Sequence, residues 1–198
     1  MDSSVIRELR LKEAFVDIQK FQAVQSDADL LTELFEWTNR GLIFIHDDEE
    51  KGHSVFVTDT KGLGADKIFR IYNAPHKEIF LWHIDGVLYS KGSKCDCAFI
   101  AEGHLGFVEF KSNAANNTGE TIQGNYEKAS SQLTLTFQDV KERCHNVNVD
   151  IMSGKLVEAY AVFNRTVPRD NAHKKKVSAK FFKDNAIPLY FTNSVELQ

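Results

Sequence analysis

Apolar residues recur at helical spacing near the start of the chain. Leu11, Ala14, Phe15, Ile18 and Phe21 predict an amphipathic helix over about residues 4–24. Ser26, with Asp29 three residues on, reads as a capping box for a second helix running through Leu30, Leu31, Leu34, Phe35 and Trp37 to Gly41. Residues 42–45 and 55–58 then predict a hairpin around the acidic turn 47–51, and residues 67–72 a further short element. Residues 78–83, extending toward Leu88, form the next expected strand, followed by a turn at Ser90, Lys91, Gly92 and Ser93. Residues 95–101 and 104–112 are two more strands, joined by a tight turn at Glu102 and Gly103. Asn117, with Glu120 three residues later, opens a long helix whose stripe is Ile122, Tyr126, Ala129, Leu133, Phe137 and Val140. Residues 156–164 read as a strand, residues 172–184 as a basic helix, and residues 188–192 as a last strand.

From 78 to 164 the order is strand, strand, strand, helix, strand. The helix is the kind of crossover that joins parallel neighbours. The expectation is an α/β fold, with a mixed central sheet flanked by helices and an N-terminal helical segment. One domain spans 1–198, with residues 1–40 as the helical segment, 78–164 as the core, and 165–198 as the basic helix and last strand. A hydrophobic fraction of 42% with 15 Phe suffices for a packed core. No apolar run reaches the ~18 residues of a membrane span, and the first residues lack a signal-peptide layout. The chain is therefore expected to be cytoplasmic, with no membrane partner.

Three cysteines, an odd number, argue against a disulfide framework. Cys95 and Cys97, with Cys144 and His145 distant, admit a zinc reading. Strand alternation instead puts both on the face opposite Asp96, beside Phe99, as small buried hydrophobes. Lys61-Gly62-Leu63-Gly64 is too short for a dinucleotide loop, no Gly-x-Ser-x-Gly elbow occurs, and none of the seven histidines has a triad context. His104 and His145 read as turn or helix-end residues.

The net charge is −4, but it is unevenly spread. Residues 1–50 hold five Lys/Arg against twelve Asp/Glu, whereas residues 165–184 hold seven against two. A local basic stripe matters more than the total for a polyanionic partner. Arg165, Arg169, Lys174, Lys175 and Lys176, with Lys94 and its neighbours Tyr89 and Lys91, are the candidate nucleic-acid contacts. The competing reading is a solvated helix face.

The chemistry centres on Leu105-Gly106-Phe107-Val108-Glu109-Phe110-Lys111. Alternation projects Glu109 and Lys111 from one face, about 7 Å apart along the strand. A carboxylate and an ammonium ending an apolar strand are costly to bury without a purpose or a partner. Asp96, on the preceding strand, comes near both by antiparallel pairing across Glu102 and Gly103. A second Glu-x-Lys, Glu49-Glu50-Lys51, lies in a charged turn and reads as solvated surface. The competing reading of Glu109 and Lys111 is an edge-strand ion pair.

This pattern resembles the PD-(D/E)XK nuclease superfamily, over roughly residues 78–164. The resemblance implies a restriction-endonuclease-like αβββαβ core and a metal-dependent nuclease, most readily acting on DNA in defence, repair or mobile-element biology. It implies Asp96 and Glu109 as metal ligands, the Phe110 carbonyl as a further ligand, and Lys111 as the catalytic lysine. Gln132 on the following helix is the expected additional catalytic residue, with Gln123 as fallback, and Glu33 or Glu36 as an upstream helix acid. The implied cofactor is Mg²⁺, with Mn²⁺ as a substitute; the partners are nucleic acid and a homodimer mate. Cys95 stands where the family's pattern has Pro, and Asp85 rivals Asp96 as first carboxylate. The alternative is a nuclease-like module that binds nucleic acid or protein without catalysis.

Overall fold

The computed structural model describes residues 4–23, 34–89, 94–111, 119–163 and 171–198. Three short helices open the chain: α1 (Ser4–Glu8), α2 (Leu11–Ala14) and α3 (Gln19–Ala23). The single helix expected over 4–24 is thus broken twice. Leu9 and Leu11 are both buried, yet two residues apart they point to nearly opposite sides of a helix. The chain reconciles them by turning at Arg10, which takes a left-handed conformation with φ 47°. A second turn lets Phe15 and Phe21 stack at 5.3 Å, with Phe15 edge-on to Trp82.

The helix expected to reach Gly41 is not there in its second half. Residues 35–38 form strand β1 (Phe35–Thr38), paired antiparallel with β5 (Ile79–His83) in the register Phe35↔Trp82. Pairing with a fully buried strand outweighs a helical pattern read from one sequence window. Ser26, Asp29, Leu30, Leu31 and Glu33 lie outside the described residues, as do the expected turn at 90–93 and the cap Asn117.

The hairpin follows as expected, with β2 (Leu42–Asp48) and β3 (His53–Val57), then β4 (Ile68–Tyr72). Strands β6 (Cys97–Ala101) and β7 (His104–Phe110) flank the two-residue turn. Helix α4 (Gly119–Asn146) crosses over to β8 (Leu156–Val162), which runs parallel to β7 as the order predicted. Helix α5 (Asn171–Asn185) and β9 (Leu189–Tyr190) come next, and β10 (Ser194–Glu196) is an unexpected final strand. The larger sheet has the order β1-β5-β6-β7-β8-β9, and the smaller β10-β4-β2-β3.

Among the described residues helices cover one face of the large sheet, and the small sheet covers the other. Every residue of β5, β6 and β7 is buried, so each strand needs apolar cover on two sides. On one face, Phe80, Trp82, Ile100, Leu105 and Phe107 pack against the apolar stripe of α4 and the N-terminal helices. On the other, Ile79, Leu81, Cys97, Phe99, Val108 and Phe110 meet Ile43, Ile45, Phe69 and Ile71 of the small sheet. The fold is α/β, and the described residues form three layers: helices, six strands, four strands. Among the described residues no helix is long and apolar enough to cross a membrane.

Cys97 lies in the inter-sheet layer with Phe99, but Cys95 lies in the helix-side layer. The bend at Asp96 breaks the alternation, so the expectation that both cysteines share a face is corrected.

Gly106 stands opposite Phe99 in the β6–β7 register, and the Phe99 ring lies across it. A Cβ on Gly106 would sit 2.1 Å from Phe99 Cε1. Gly106→Ala should therefore destabilise the fold by about 1–3 kcal/mol, the cost of overpacking a core. Chemical denaturation checks this; the penalty should shrink in a Phe99→Leu background, where the ring is gone.

Candidate active site

Extending the β6–β7 register by one residue beyond Cys97↔Val108 places Asp96 opposite Glu109. The two-residue turn thus delivers the pairing without any slip. Asp96 Oδ2 accepts the Phe110 N–H at 2.5 Å, while the Asp96 carbonyl accepts from the N–H groups of Ile84 and Asp85. Asp96 is locked between the ends of β5 and β7.

Glu109 and Lys111 point to the helix-side face, as alternation requires. The Lys111 ammonium donates to Glu109 Oε1 and, at 2.6 Å, to Gln132 Oε1. Gln132 in turn donates Nε2 to the Lys94 carbonyl at 2.9 Å. One helical turn on, Thr136 Oγ1 accepts the Cys95 N–H at 2.8 Å. Helix α4 therefore grips the segment entering β6 at two places and orients Lys111 at a third. Gln123 is exposed and lies more than two turns from Gln132, so the fallback is not needed.

The electrostatics are unusual for side chains at the end of a sheet. Glu109 is 1% exposed. Burial and the neighbouring Asp96 push its carboxyl well above the ordinary range, against the pull of Lys111. Burial raises Asp96 to about 7, opposed by the Phe110 N–H and by Lys111, and reinforced by Asp47 and Asp85. Glu109 Oε2 is buried without a hydrogen-bond partner among the described residues. A carboxylate oxygen left so is expensive unless a cation faces it. The donor set of Asp96 and Glu109, two hard oxygen ligands with one unsatisfied lobe, fits a divalent ion of the Mg²⁺ type.

Asp47 is the residue that the sequence reading passed over. It follows Ile43 and Ile45 on the inter-sheet side of β2, and its charge is felt by both Asp96 and Glu109. Burial raises its own carboxyl. The signal was present: continuing the alternation of Ile43 and Ile45 by one step gives Asp47 an inward aspect. It was masked by the run of acids that follows, which reads as a solvated turn. Asp85 is exposed, yet close enough to act on Asp96, so the rival is a neighbour and Asp96 holds the buried position.

Other expected residues fall elsewhere. Glu36 is on strand β1, not a helix, and its Oε2 accepts the Phe56 N–H at 3.0 Å. Lys94 is engaged beside the site, 3.6 Å from Asp139 and over the Tyr89 ring, while the Tyr89 hydroxyl donates to Asp139. Lys174 lies over the rings of Tyr126 and Phe191, and Lys175 and Lys176 are exposed on α5. Arg165, Arg169 and Lys91 lie outside the described residues. His104 is not a bland turn residue, since it is buried with Nε2 3.0 Å from Glu158. Among the described residues, the one trio of His, Cys, Asp or Glu ligand atoms within 4.8 Å of one another is Glu36, His53 and His83. Among the described residues, Asp96 and Glu109 are not joined by a third such donor at that spacing.

Comparison of the chain with protein-family models, with curated proteins and with solved structures finds no match.

The raised Asp96 pKa has a definite sign in stability. The folded chain keeps this proton over a range, from 3.8 to about 7, where the unfolded chain has lost it. Stability from this group therefore falls as pH rises through that window and levels off above it. Asp96→Asn keeps an acceptor for the Phe110 N–H while removing the titration. In EDTA at pH 8 the variant should exceed wild type by on the order of 2 kcal/mol in chemical denaturation, with the gap closing toward pH 4. An equal gap at both pH values would contradict the burial argument.

Proposed function

We propose that the chain is a divalent-metal-dependent nuclease of the PD-(D/E)XK type, with a restriction-endonuclease-like core formed by β5, β6, β7, α4 and β8. The observation that carries this reading is the orphaned Glu109 Oε2, buried beside Asp96 and next to a lysine held by Gln132. Structural ion pairs do not ordinarily leave one carboxylate oxygen buried and unpaired while a second acid is held across from it.

Asp96 and Glu109 would hold the ion, with the Phe110 carbonyl as a further ligand. A bound Mg²⁺ or Mn²⁺ would polarise the scissile phosphate and acidify a water, and its charge would keep both carboxylates ionised. Lys111 sits where it can orient the attacking water and offset charge on the phosphorane-like transition state. Gln132 fixes the lysine's direction through its 2.6 Å contact and is fixed in turn by the Lys94 carbonyl. Asp47 adds negative charge that favours a cation over a neutral site. DNA is the substrate proposed, and the exposed Lys175 and Lys176 of α5 are the proposed backbone contacts.

The test is cleavage of single- and double-stranded DNA and of RNA, with Mg²⁺ or Mn²⁺ and with EDTA. Lys111→Met should lower the rate by roughly 10²–10³, the scale for losing one charge-stabilising donor. Asp96→Asn should abolish metal-dependent cleavage, and EDTA should do the same to wild type. Cleavage that persists in both variants would sink the assignment, and metal-independent DNA binding without cleavage would favour the binding module. Separately, replacing Lys175 and Lys176 by Ala should weaken DNA binding across sequences and reduce the salt slope by roughly one per lost phosphate contact. Titration at several salt concentrations reads this directly.

A further inference from the structure

We propose that Glu36, His53 and His83 form a second metal site, for a transition-metal ion of the zinc class, which ties the two sheets together. Their ligand atoms lie within 4.8 Å of one another. They come from three strands: Glu36 from β1 and His83 from β5 of the large sheet, and His53 from β3 of the small one.

Both rings are oriented by the backbone. His83 Nδ1 is 2.9 Å from the Ser54 carbonyl, and His53 Nδ1 is 3.0 Å from the Lys51 carbonyl. A carbonyl only accepts, so each Nδ1 carries the hydrogen and each Nε2 is left with its lone pair. Fixing the tautomer by a hydrogen bond from the second ring nitrogen is how metal-binding histidines are held. The rings meet edge to face at 4.8 Å between centroids. Glu36 is held too, since Oε2 accepts the Phe56 N–H, which leaves Oε1 directed at His83 Nε2.

The separation decides between a hydrogen bond and an ion. Glu36 Oε1 and His83 Nε2 are 3.8 Å apart, too far for a hydrogen bond. Two ligands on a tetrahedral ion with bonds of about 2.1 Å are roughly 3.4 Å apart, so the gap is close to that of two donors sharing one ion. Two imidazoles and one carboxylate favour zinc over Mg²⁺, which prefers oxygen donors. Three protein ligands leave a fourth position for water. The Glu36 side chain is 37% exposed and the His83 side chain 6%, so the site opens to solvent on one side only.

This site is independent of the proposed nuclease centre, and the test separates them. The metal-stripped full chain is titrated with Co²⁺, whose tetrahedral nitrogen complexes absorb strongly in the visible, and Zn²⁺ is then added to displace it. Wild type and the nuclease-site variant Asp96→Asn should both bind about one ion with the visible band. His53→Ala and Glu36→Gln should lose affinity by roughly 100-fold or more, at or beyond the scale for disturbing a ligand's orienting partner. Circular dichroism of the metal-free variants checks the fold, and the half-buried His53 makes its variant the safer of the two. Zn²⁺ at a hundredfold excess over Kd should raise the wild-type Tm by roughly 5–10 °C and leave the His53→Ala Tm unmoved. A wild type without the band, a band surviving in both His53→Ala and Glu36→Gln, or a band lost only in Asp96→Asn overturns the assignment.

Discussion

Strand β7 has no exposed residue from His104 to Phe110, and that double-sided burial organises the molecule. A strand covered on both faces needs one apolar layer from each side. Here α4 supplies one, and the small sheet supplies the other. The same burial makes Glu109 expensive. Five residues of the strand are apolar or glycine, His104 is met by Glu158, and Glu109 is its one buried acid. It is answered by Lys111, which Gln132 of α4 holds in place, while Asp96 across from it adds to the cost of charging it. The layering and the chemistry are thus two results of one constraint.

Much of this layout was legible from residue spacing. Alternation put Glu109 and Lys111 on one face, the 4-3-4-4-3 stripe set the inner side of α4, and the two-residue turn put Asp96 across from Glu109. Gln132 was legible as well, because it flanks Leu133 on the stripe and so reaches the sheet near its end. These are local regularities, in which a period of 2 or 3.6 fixes direction over a few residues. What failed was settled at long range. Phe35 and Trp37 became strand because β5 offered an edge, which no window around residue 35 reveals. The N-terminal helix broke because both Leu9 and Leu11 had an apolar surface to reach. The small sheet's role as a second cover depended on knowing that β5, β6 and β7 are all buried on both sides. The trio of Glu36, His53 and His83 was hidden for the same reason, since its members come together only when the sheets dock, whereas Asp47 was masked by the acidic run that follows it.

The two proposed ion sites divide the available donors by chemistry. Around β7 the donors are carboxylate oxygens with a lysine nearby, a hard set at high local negative charge. Around β5 two imidazoles and one carboxylate make a softer set, each fixed by a backbone hydrogen bond. Separation by ligand type lets two ions of equal charge be sorted within one small domain. Both sets stand at the same end of the large sheet, since His83 and Asp96 flank adjacent strand ends.

The β2–β3 hairpin carries Asp47 on one arm and His53 on the other, with Asp48 paired to His53 at its tip. The tip is seated against the large sheet's connecting loop, where a Cβ on Gly86 would fall 2.3 Å from the Gly52 carbonyl oxygen. The hairpin tip is therefore packed closely against the loop that leaves β5. The close fit at the tip thus serves a residue beside each proposed site, and lengthening the turn would loosen Asp47 and His53 together.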